Sequence, residues 1–353
     1  MASQDTPTTS GSKTEKIRQA DPLIGSLLSE RYEIISLLGE GDFGRVYKAR
    51  QTQINRTVAI KTLKKELLRD PVDGASFARK SESIVSLSHP NIVAVYESGL
   101  TPQNEPYFAM DLLNGETLRE LIDAESPLPA SRVAAIAIQI ADALSHAHET
   151  GVLHGDLKPV NAIVSESESQ SDVVKLVDFD IGRFVRRPEE DLHSANPRSN
   201  VLESSHYMSP ERCRGEIMDA RTDIYSLGCM LREMLVGHPP FGGDTVESTI
   251  KAQINEPAQP FFQLIENSPL ACDLEYIALK CMKKAPEDRY QSAVDLMEDL
   301  DSAVRGVGVG ADRQNAVKRH KPLSQAMWMQ VILSLMLLAT LAGIVVLVTQ
   351  MAR

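Results

Sequence analysis

The most informative segment of the sequence reads His154-Gly155-Asp156-Leu157-Lys158-Pro159-Val160-Asn161. It brings a carboxylate, an ammonium group and an amide together between Asp156 and Asn161. A second polar cluster, Asp178-Phe179-Asp180, directly follows the apolar, strand-like run from Val173 to Val177. Farther along lie Tyr207-Met208-Ser209-Pro210-Glu211 and then Asp223-Ile224-Tyr225-Ser226-Leu227-Gly228. Each motif alone could arise by chance, but their order and separations together point to one composite site.

A glycine-rich loop precedes these motifs and reads Gly39-Glu40-Gly41-Asp42-Phe43-Gly44-Arg45-Val46. Its glycines let backbone amides approach phosphate groups without a clash from Cβ. Dinucleotide-binding folds share this pattern, but they place a helix directly after the glycines and an acidic residue about 20 positions on. Here a strand-like segment follows, and Lys61 lies 17 positions after Gly44. The combination predicts a glycine flap between two strands and a lysine directed at the same phosphates.

The order of apolar patterns predicts a β-rich part followed by an α-rich part. Strand-like stretches, the helical stretch near 76–87 and the later helices are expected in that order. The strands are predicted at 31–35, 45–49, 57–61, 92–97 and 107–110. The later helices are predicted at 131–149, 222–236, 272–283 and 291–304. A net charge of −11 argues against a general nucleic-acid binder, which would normally present a basic face.

With these motifs, the chain resembles the eukaryotic-like (Hanks-type) Ser/Thr protein kinases, in particular the bacterial membrane-anchored members. The resemblance runs from about Tyr32 to Val304. It implies an α+β, bilobal protein-kinase fold with a small β-rich N-lobe, one main helix in that lobe, and a larger α-helical C-lobe. It also implies transfer of phosphate from ATP to Ser or Thr of protein substrates, and it is compatible with a homodimer that autophosphorylates.

The same resemblance assigns roles to individual residues. Asp156 is the catalytic base and Lys158 meets the moving phosphate. Asn161 and Asp178 supply oxygens to Mg²⁺, with Mn²⁺ as an alternative metal. The implied ATP-binding residues are Leu38, Gly39, Gly41, Gly44, Val46, Ala59, Lys61, Met110, Asp111, Leu113 and Ile163. Supporting roles are implied for Ser204 beside the catalytic Asp, for Asp223 on the catalytic-loop backbone, and for an ion pair between Glu211 and Arg289.

Three positions depart from the family pattern. Lys80 occupies the helix position that usually carries a glutamate for Lys61, and Glu82 would require a shifted register to replace it. Gly155 occupies a position where many relatives have the arginine that clamps a phosphorylated activation loop. Asp180 replaces a glycine, although Asp tolerates left-handed backbone better than most residues. Two hypotheses therefore remain open: an active kinase, and a pseudokinase that acts as a membrane-held nucleotide-binding scaffold.

The activation segment between Asp178 and Glu211 contains candidate phosphorylation sites. These sites are Ser194, Ser199, Ser204 and Ser205. Without an arginine at Gly155, we expect no switch through an arginine clamp in the catalytic loop. Cations on the segment itself, or Lys80, are the alternatives for receiving such a phosphate.

The C-terminal sequence predicts a membrane anchor. Residues 331–348 contain no charge, and about 20 apolar residues suffice to span a ~30 Å hydrocarbon core. Basic residues are concentrated before this run, which predicts a cytoplasmic kinase domain in a single-pass membrane protein. The predicted divisions are a flexible tail 1–28, a kinase domain 29–305, a basic juxtamembrane linker 306–326, a transmembrane helix 327–348 and a far-side tail 349–353. The N-terminus predicts no secretory signal peptide.

The four cysteines are expected to be free thiols. Cys213, Cys229, Cys272 and Cys281 form no C-x-x-C pair, and no histidine cluster with zinc spacing accompanies them. In a chain of 353 residues this density favours reduced thiols over a disulfide framework.

Overall fold

A computed structural model describes residues 21–309, except 42, 69–73, 168–169, 182–200, 244 and 266. Its strands are β1 Leu27–Leu28, β2 Tyr32–Glu40, β3 Gly44–Gln51, β4 Arg56–Leu63, β5 Val95–Leu100, β6 Pro106–Asp111, β7 Glu116–Thr117, β8 Ala162–Ser167 and β9 Gln170–Leu176. Its α-helices are α1 Gly74–Val85, α2 Leu118–Glu125, α3 Ala130–Glu149, α4 Val201–Ser205, α5 Pro210–Cys213, α6 Ala220–Val236, α7 Val246–Asn255, α8 Pro269–Cys281 and α9 Ala293–Val304.

The N-terminal lobe is an antiparallel sheet in the order β1-β2-β3-β4-β6-β5, with helix α1 packed against β5. Strand β4 is central, and most of its side chains are buried because both faces of the sheet are covered. One face packs around Phe77 of α1 and the other around Tyr47 and Tyr107. This arrangement confirms the predicted small β-rich lobe with one main helix.

The C-terminal lobe is built around helices α3 and α6. Helix α3 buries residues such as Val133, Ile136, Ile140 and Leu144 at helical spacing, as the sequence predicts. Helix α6 is buried along almost its whole length, which places it between α3, α8 and the segments that precede it. A small sheet, β7-β8-β9, lies on top of this helical core and carries the ends of the motif-bearing loops.

Several boundaries differ from the sequence prediction by a few residues. The strand predicted from 92 to 97 runs from Val95 to Leu100. The ordered structure also begins before the predicted domain start at residue 29, because Leu23 and Leu28 are 2% and 1% exposed and pack beside Tyr47. The apolar residues near Leu23 and Leu28 are too few to show a periodic pattern, so the sequence did not predict this packing.

The predicted C-terminal anchor lies outside the residues that the structure describes. Within the described part of the chain, no helix is both long enough and apolar enough to cross a membrane. The four cysteines all lie in that part and are free, as predicted.

A buried ion pair joins the segment after the activation loop to the end of the helical lobe. Arg289 donates to both carboxylate oxygens of Glu211 at 2.8 Å, and these side chains are 0% and 7% exposed. Thr222 of α6 donates a further hydrogen bond to Glu211 at 2.8 Å. The predicted pairing of Glu211 with Arg289 is therefore confirmed, and it connects α5, α6 and the loop before α9.

We predict that Arg289→Met destabilises the lobe by about 3–5 kcal/mol, because it leaves the Glu211 carboxylate buried without its cation. The measurement is urea unfolding of the full chain. Lys251→Gln is the matched control, since the Lys251–Glu247 pair is 69% and 79% exposed and such pairs contribute about 0–1 kcal/mol. Equal losses in the two variants would contradict the prediction.

Candidate active site

The glycine loop lies between β2 and β3, as the sequence predicts. Its first and last parts are joined because the Gly41 amide donates to the Gly44 carbonyl at 2.8 Å. A Cβ added at Gly44 would lie 1.6 Å from the Thr62 carbonyl oxygen, whereas one at Gly39 or Gly41 would meet nothing within 4 Å. Gly44 is therefore required by strand packing, and Gly39 and Gly41 leave open the space that a phosphate would use.

Lys61 lies on β4 next to Val46 of β3, so the glycine loop and the lysine face the same cleft. Its ammonium group forms an ion pair with the carboxylate of Asp178. Both side chains are largely buried, at 12% and 15% exposure. The pair links the two lobes across the cleft.

Helix α1 supplies no acid to Lys61. Glu82 is the only acidic residue in the helix and it is exposed, so the shifted register considered for it is wrong. Lys80 is exposed as well, and Ser81 between them is buried and hydrogen-bonded to Ser98 at 2.5 Å. The helix thus meets the sheet through a small hydroxyl, and Asp178 takes over the neutralisation of Lys61.

The residues predicted to surround adenine lie around one strand pair. Ala59 and Met110 are direct neighbours on β4 and β6, and both are buried. Leu38 is 50% exposed on β2, and Ile163 is half-buried on β8. The role of these residues stays a prediction.

The connection after β6 was predicted to offer backbone groups to adenine through Asp111 and Leu113. The Asp111 amide donates to the Ala94 carbonyl at 3.0 Å. That amide is therefore used within the fold, and a role for the other backbone groups of this connection stays a prediction. The Asp111 carboxylate accepts a hydrogen bond from Arg56 at 2.7 Å and points to the strand edge.

The catalytic loop is held from below by Asp223 at the start of α6. Its carboxylate accepts hydrogen bonds from the amides of His154 and Gly155, each at 2.8 Å. His148 Nε2 is also 2.8 Å from it. Burial disfavours the charged form, but the histidine and the amides hold the pKa of Asp223 below its usual value. The predicted bond from Asp223 to the loop backbone is confirmed.

Asp156 is 9% exposed and is flanked by cations. Lys158 Nζ lies 3.0 Å from its Oδ2 atom and donates to the Ser204 hydroxyl at 2.7 Å. Burial opposes ionisation of Asp156, but Lys158 and Arg212 lower its pKa to about 2. The carboxylate is therefore ionised at neutral pH and can accept a proton or a hydrogen bond.

Ser204 and Ser205 were among the candidate phosphorylation sites, and the structure buries both of them. They are 2% and 0% exposed, and the Ser204 hydroxyl accepts the hydrogen bond from Lys158. In this conformation a protein kinase cannot reach either hydroxyl. The other two sites, Ser194 and Ser199, lie outside the described residues.

Asn161 and Asp178 are brought to the same end of the cleft. The Asn161 side-chain nitrogen donates to the Asp156 carbonyl at 2.9 Å, which leaves its oxygen as the atom that can bind a cation. Amide and carboxylate oxygens are the ligands that Mg²⁺ prefers. The donor set fits a hard cation, and Asn161 and Asp178 are the residues that would hold it.

The motif around Phe179 adopts a left-handed backbone on both sides of the phenylalanine. Asp178 and Asp180 have φ values of +68° and +53°. The Asp180 amide donates to the His154 carbonyl at 3.1 Å, and the Phe179 ring lies 4.6 Å from the His154 ring. Asp180 therefore takes the left-handed conformation expected of the glycine that it replaces.

Four residues at the site were not singled out for the cleft by sequence reasoning. Phe43, Val160 and Glu203 line the cleft together with the glycine loop, Lys61, Lys158, Asn161 and Asp178. Arg212 contacts Asp156 from α5. Phe43 and Val160 lie inside quoted motifs, so the motifs could have indicated them. Glu203 and Arg212 reach the site only through long-range packing, for which the sequence carries no local signal.

Comparison with known proteins agrees with this geometry. The model of the protein kinase domain matches residues 32–300. The chain belongs to the protein kinase family. The Ser/Thr kinase PknB of Mycobacterium leprae is 37% identical over 276 residues, which cover 77% of this chain and 43% of that protein. A probable Ser/Thr kinase of Streptomyces coelicolor is 36% identical over 287 residues, covering 80% of this chain and 41% of that protein.

These relatives place the chain among the Hanks-type Ser/Thr protein kinases. The chain matches less than half the length of either relative. A crystal structure of the PknI kinase domain of Mycobacterium tuberculosis, determined for a variant with two substitutions, shares the fold. Its TM-score is 0.58 at 23% identity, over 77% of this kinase and 96% of that domain.

We predict that two glycines of the loop respond differently to substitution. Gly44→Ala should lower the free energy of unfolding by roughly 1–3 kcal/mol, because the new Cβ overlaps the β4 backbone. Gly41→Ala should leave stability unchanged and raise the KM for ATP about tenfold, the effect of losing about 1.4 kcal/mol of phosphate binding.

Thermal unfolding and initial rates at varied ATP concentration measure the two effects on the same preparations. The prediction is contradicted if Gly41→Ala unfolds at lower temperature or if Gly44→Ala changes only the KM.

Proposed function

We propose that this kinase transfers the terminal phosphoryl group of ATP to Ser or Thr of protein substrates. The observation that supports it most directly is the arrangement of two carboxylates, each paired with a lysine that lines one cleft. Asp156 pairs with Lys158 on the catalytic loop, and Asp178 pairs with Lys61 from the other lobe. Phosphoryl transfer requires positioning and charge neutralisation more than covalent chemistry, and this arrangement supplies both.

The individual roles follow from these contacts. Asp156 accepts the proton of the substrate hydroxyl, or orients that hydroxyl, because its carboxylate is ionised at neutral pH. Lys158 stands between Asp156 and Ser204 and neutralises charge on the transferred group. Lys61 and the glycine-loop amides hold the remaining phosphates. Asn161 and Asp178 would hold Mg²⁺, which would supply positive charge to the phosphate oxygens.

Membrane attachment is the second part of the proposal. It rests on the sequence of residues 327–348, which lie outside the described structure. The charge-free run and the basic residues before it support a single-pass anchor with the kinase domain on the cytoplasmic face. Substrates would then be proteins at that membrane face.

The pseudokinase hypothesis makes the opposite prediction about chemistry. A nucleotide-binding scaffold would bind ATP but show no transfer that depends on Asp156. The ion pair between Lys61 and Asp178 weakens the main reason for that hypothesis, since Lys61 has an anionic partner without a helix glutamate. A direct measurement of transfer separates the two hypotheses.

We predict that Asp156→Asn reduces kcat by about 10²- to 10⁴-fold, because it removes the group that accepts the hydroxyl proton. ATP binding, followed by calorimetry, should change little, since Asp156 lies away from the phosphate-holding residues. Asp178→Asn is the contrasting variant and should weaken both Mg²⁺-dependent ATP binding and transfer. Wild-type turnover in Asp156→Asn would show that the assigned base is wrong, and absence of transfer by the unmodified chain would favour the scaffold.

We predict that deleting residues 327–353 moves the protein from the membrane fraction to the supernatant without loss of kinase activity. The charge-free segment is the expected source of membrane affinity, and the motif-bearing residues all precede it. Fractionation of full-length and truncated chains, with light scattering to detect aggregates, provides the measurement. A truncated chain that remains in the membrane pellet without aggregating would rule out the anchor.

A further inference from the structure

Arg212 reaches the catalytic loop from helix α5 and contacts it at two atoms. Its Nη1 atom donates to the Gly155 carbonyl at 2.6 Å, and its Nη2 atom lies 3.0 Å from Asp156 Oδ1. The arginine is 4% exposed, so its charge is removed from water and set against that carboxylate. We propose that Arg212 is a positioning residue for phosphoryl transfer, which fixes the orientation of the Asp156 carboxylate. The proposal rests on the kinase activity proposed above.

The two oxygens of Asp156 have different surroundings. Arg212 lies against Oδ1, whereas Oδ2 has a 3.0 Å ion pair with Lys158 but no hydrogen bond. Oδ2 is buried in this conformation beside Lys158, a residue that lines the cleft, and its capacity to accept a hydrogen bond is unused. Holding Oδ1 therefore leaves the second oxygen available as the acceptor. A carboxylate free to rotate would present the acceptor only part of the time.

A guanidinium group suits this role better than an ammonium group. It presents several N–H donors in a rigid plane, so that one side chain can bind two acceptors with fixed geometry. Here the two acceptors are neighbouring residues of one loop, a backbone carbonyl and a carboxylate. Contact at both atoms fixes the carboxylate relative to the loop backbone. A lysine could contact one of them but would not define the angle between them.

The backbone that carries Arg212 is itself firmly anchored. Helix α5 begins at the N-cap Ser209, whose hydroxyl accepts a hydrogen bond from the Arg212 amide at 3.4 Å. The preceding residue, Glu211, is locked by its bonds to Arg289 and Thr222. The guanidinium therefore extends from a rigid element, as a positioning group requires. The same short helix joins the catalytic aspartate to the segment that follows the activation loop.

The position of Gly155 explains why the arginine comes from elsewhere. Family resemblance places an arginine at 155, but this chain has a glycine there with a φ of +73°, a conformation that side chains rarely adopt. Gly155 contributes its carbonyl instead, and the cation is supplied by Arg212. The positive charge of Arg212 is thus paired within the fold by the Asp156 carboxylate. It does not extend toward a phosphate.

The first test compares variants of the full chain by steady-state kinetics. Arg212→Gln should lower kcat on the order of 10- to 100-fold, because a misplaced catalytic group costs about that much, with the KM for ATP unchanged. Arg212→Lys should retain an intermediate kcat. The matched control is Arg214→Gln, since Arg214 is 41% exposed and its ion pair with Glu216 is long, at 4.0 Å. A kcat in Arg212→Gln equal to that of the control would overturn the proposal.

The second test separates failure of this inference from failure of the proposed function. It is a double-mutant cycle on thermal unfolding of the full chain, with Asp156→Asn as the second change. Arg212→Gln should lower the midpoint strongly when Asp156 is present and much less in the Asn background. Additive shifts, as expected for Arg214→Gln, would overturn the contact whether or not the chain transfers phosphate. A chain without transfer but with a coupled cycle would instead overturn the proposed function and, with it, the catalytic role of Arg212.

Discussion

The buried carboxylate of Asp223 is the interaction on which the active site depends. A charge removed from water is tolerated only where hydrogen bonds replace the lost hydration, and here two loop amides and His148 provide them. Asp223 belongs to α6, which is buried along almost its whole length and therefore cannot shift independently of the lobe. The catalytic loop is consequently built on a rigid helix, although its own regular structure is limited to one 3-10 turn at Pro159–Asn161. The backbone that carries Asp156 and Asn161 is positioned by that attachment.

A set of ion pairs then surrounds this loop and joins the two lobes. Lys61 from the N-terminal lobe meets Asp178, and Lys158 and Arg212 meet Asp156. Burial opposes ionisation of Asp156, but its two cations lower the pKa of this carboxyl, since an opposite charge at short range favours the charged form. Lys61 and Arg212 come from segments far from their partners in the chain, whereas Lys158 and Asp156 belong to the same loop. Movement of the lobes would therefore change the electrostatics of the site as well as its shape.

The sequence predicted the order of the lobes and the segments that form the site, because glycine, proline and charged residues at fixed spacing leave a local signal. It also predicted the contacts of Asp223 and of Glu211 with Arg289, through resemblance to the family. It could not predict that Lys61 is paired by Asp178 while Ser81 of α1 turns inward, since the rotation of a helix is decided by packing against the sheet. Nor could it predict the place of Arg212, which lies 56 positions from Asp156 in the chain. Contacts of that range depend on how the elements pack, and no local pattern records them.

The three departures from the family pattern are accommodated by different physical means. At Asp180 the backbone keeps the left-handed conformation of a glycine, at a cost of about 1–2 kcal/mol, and a hydrogen bond to the His154 carbonyl holds it there. At Lys80 the missing glutamate is compensated by a contact on the opposite side of Lys61. At Gly155 the arginine side chain of the family pattern is absent, and Arg212 of helix α5 supplies a positive charge next to the loop instead. In each case the backbone of the catalytic loop or the charge next to it is preserved while the residue that provides it changes. The site therefore keeps its backbone conformation and its charge pairing although these residues depart from the motif.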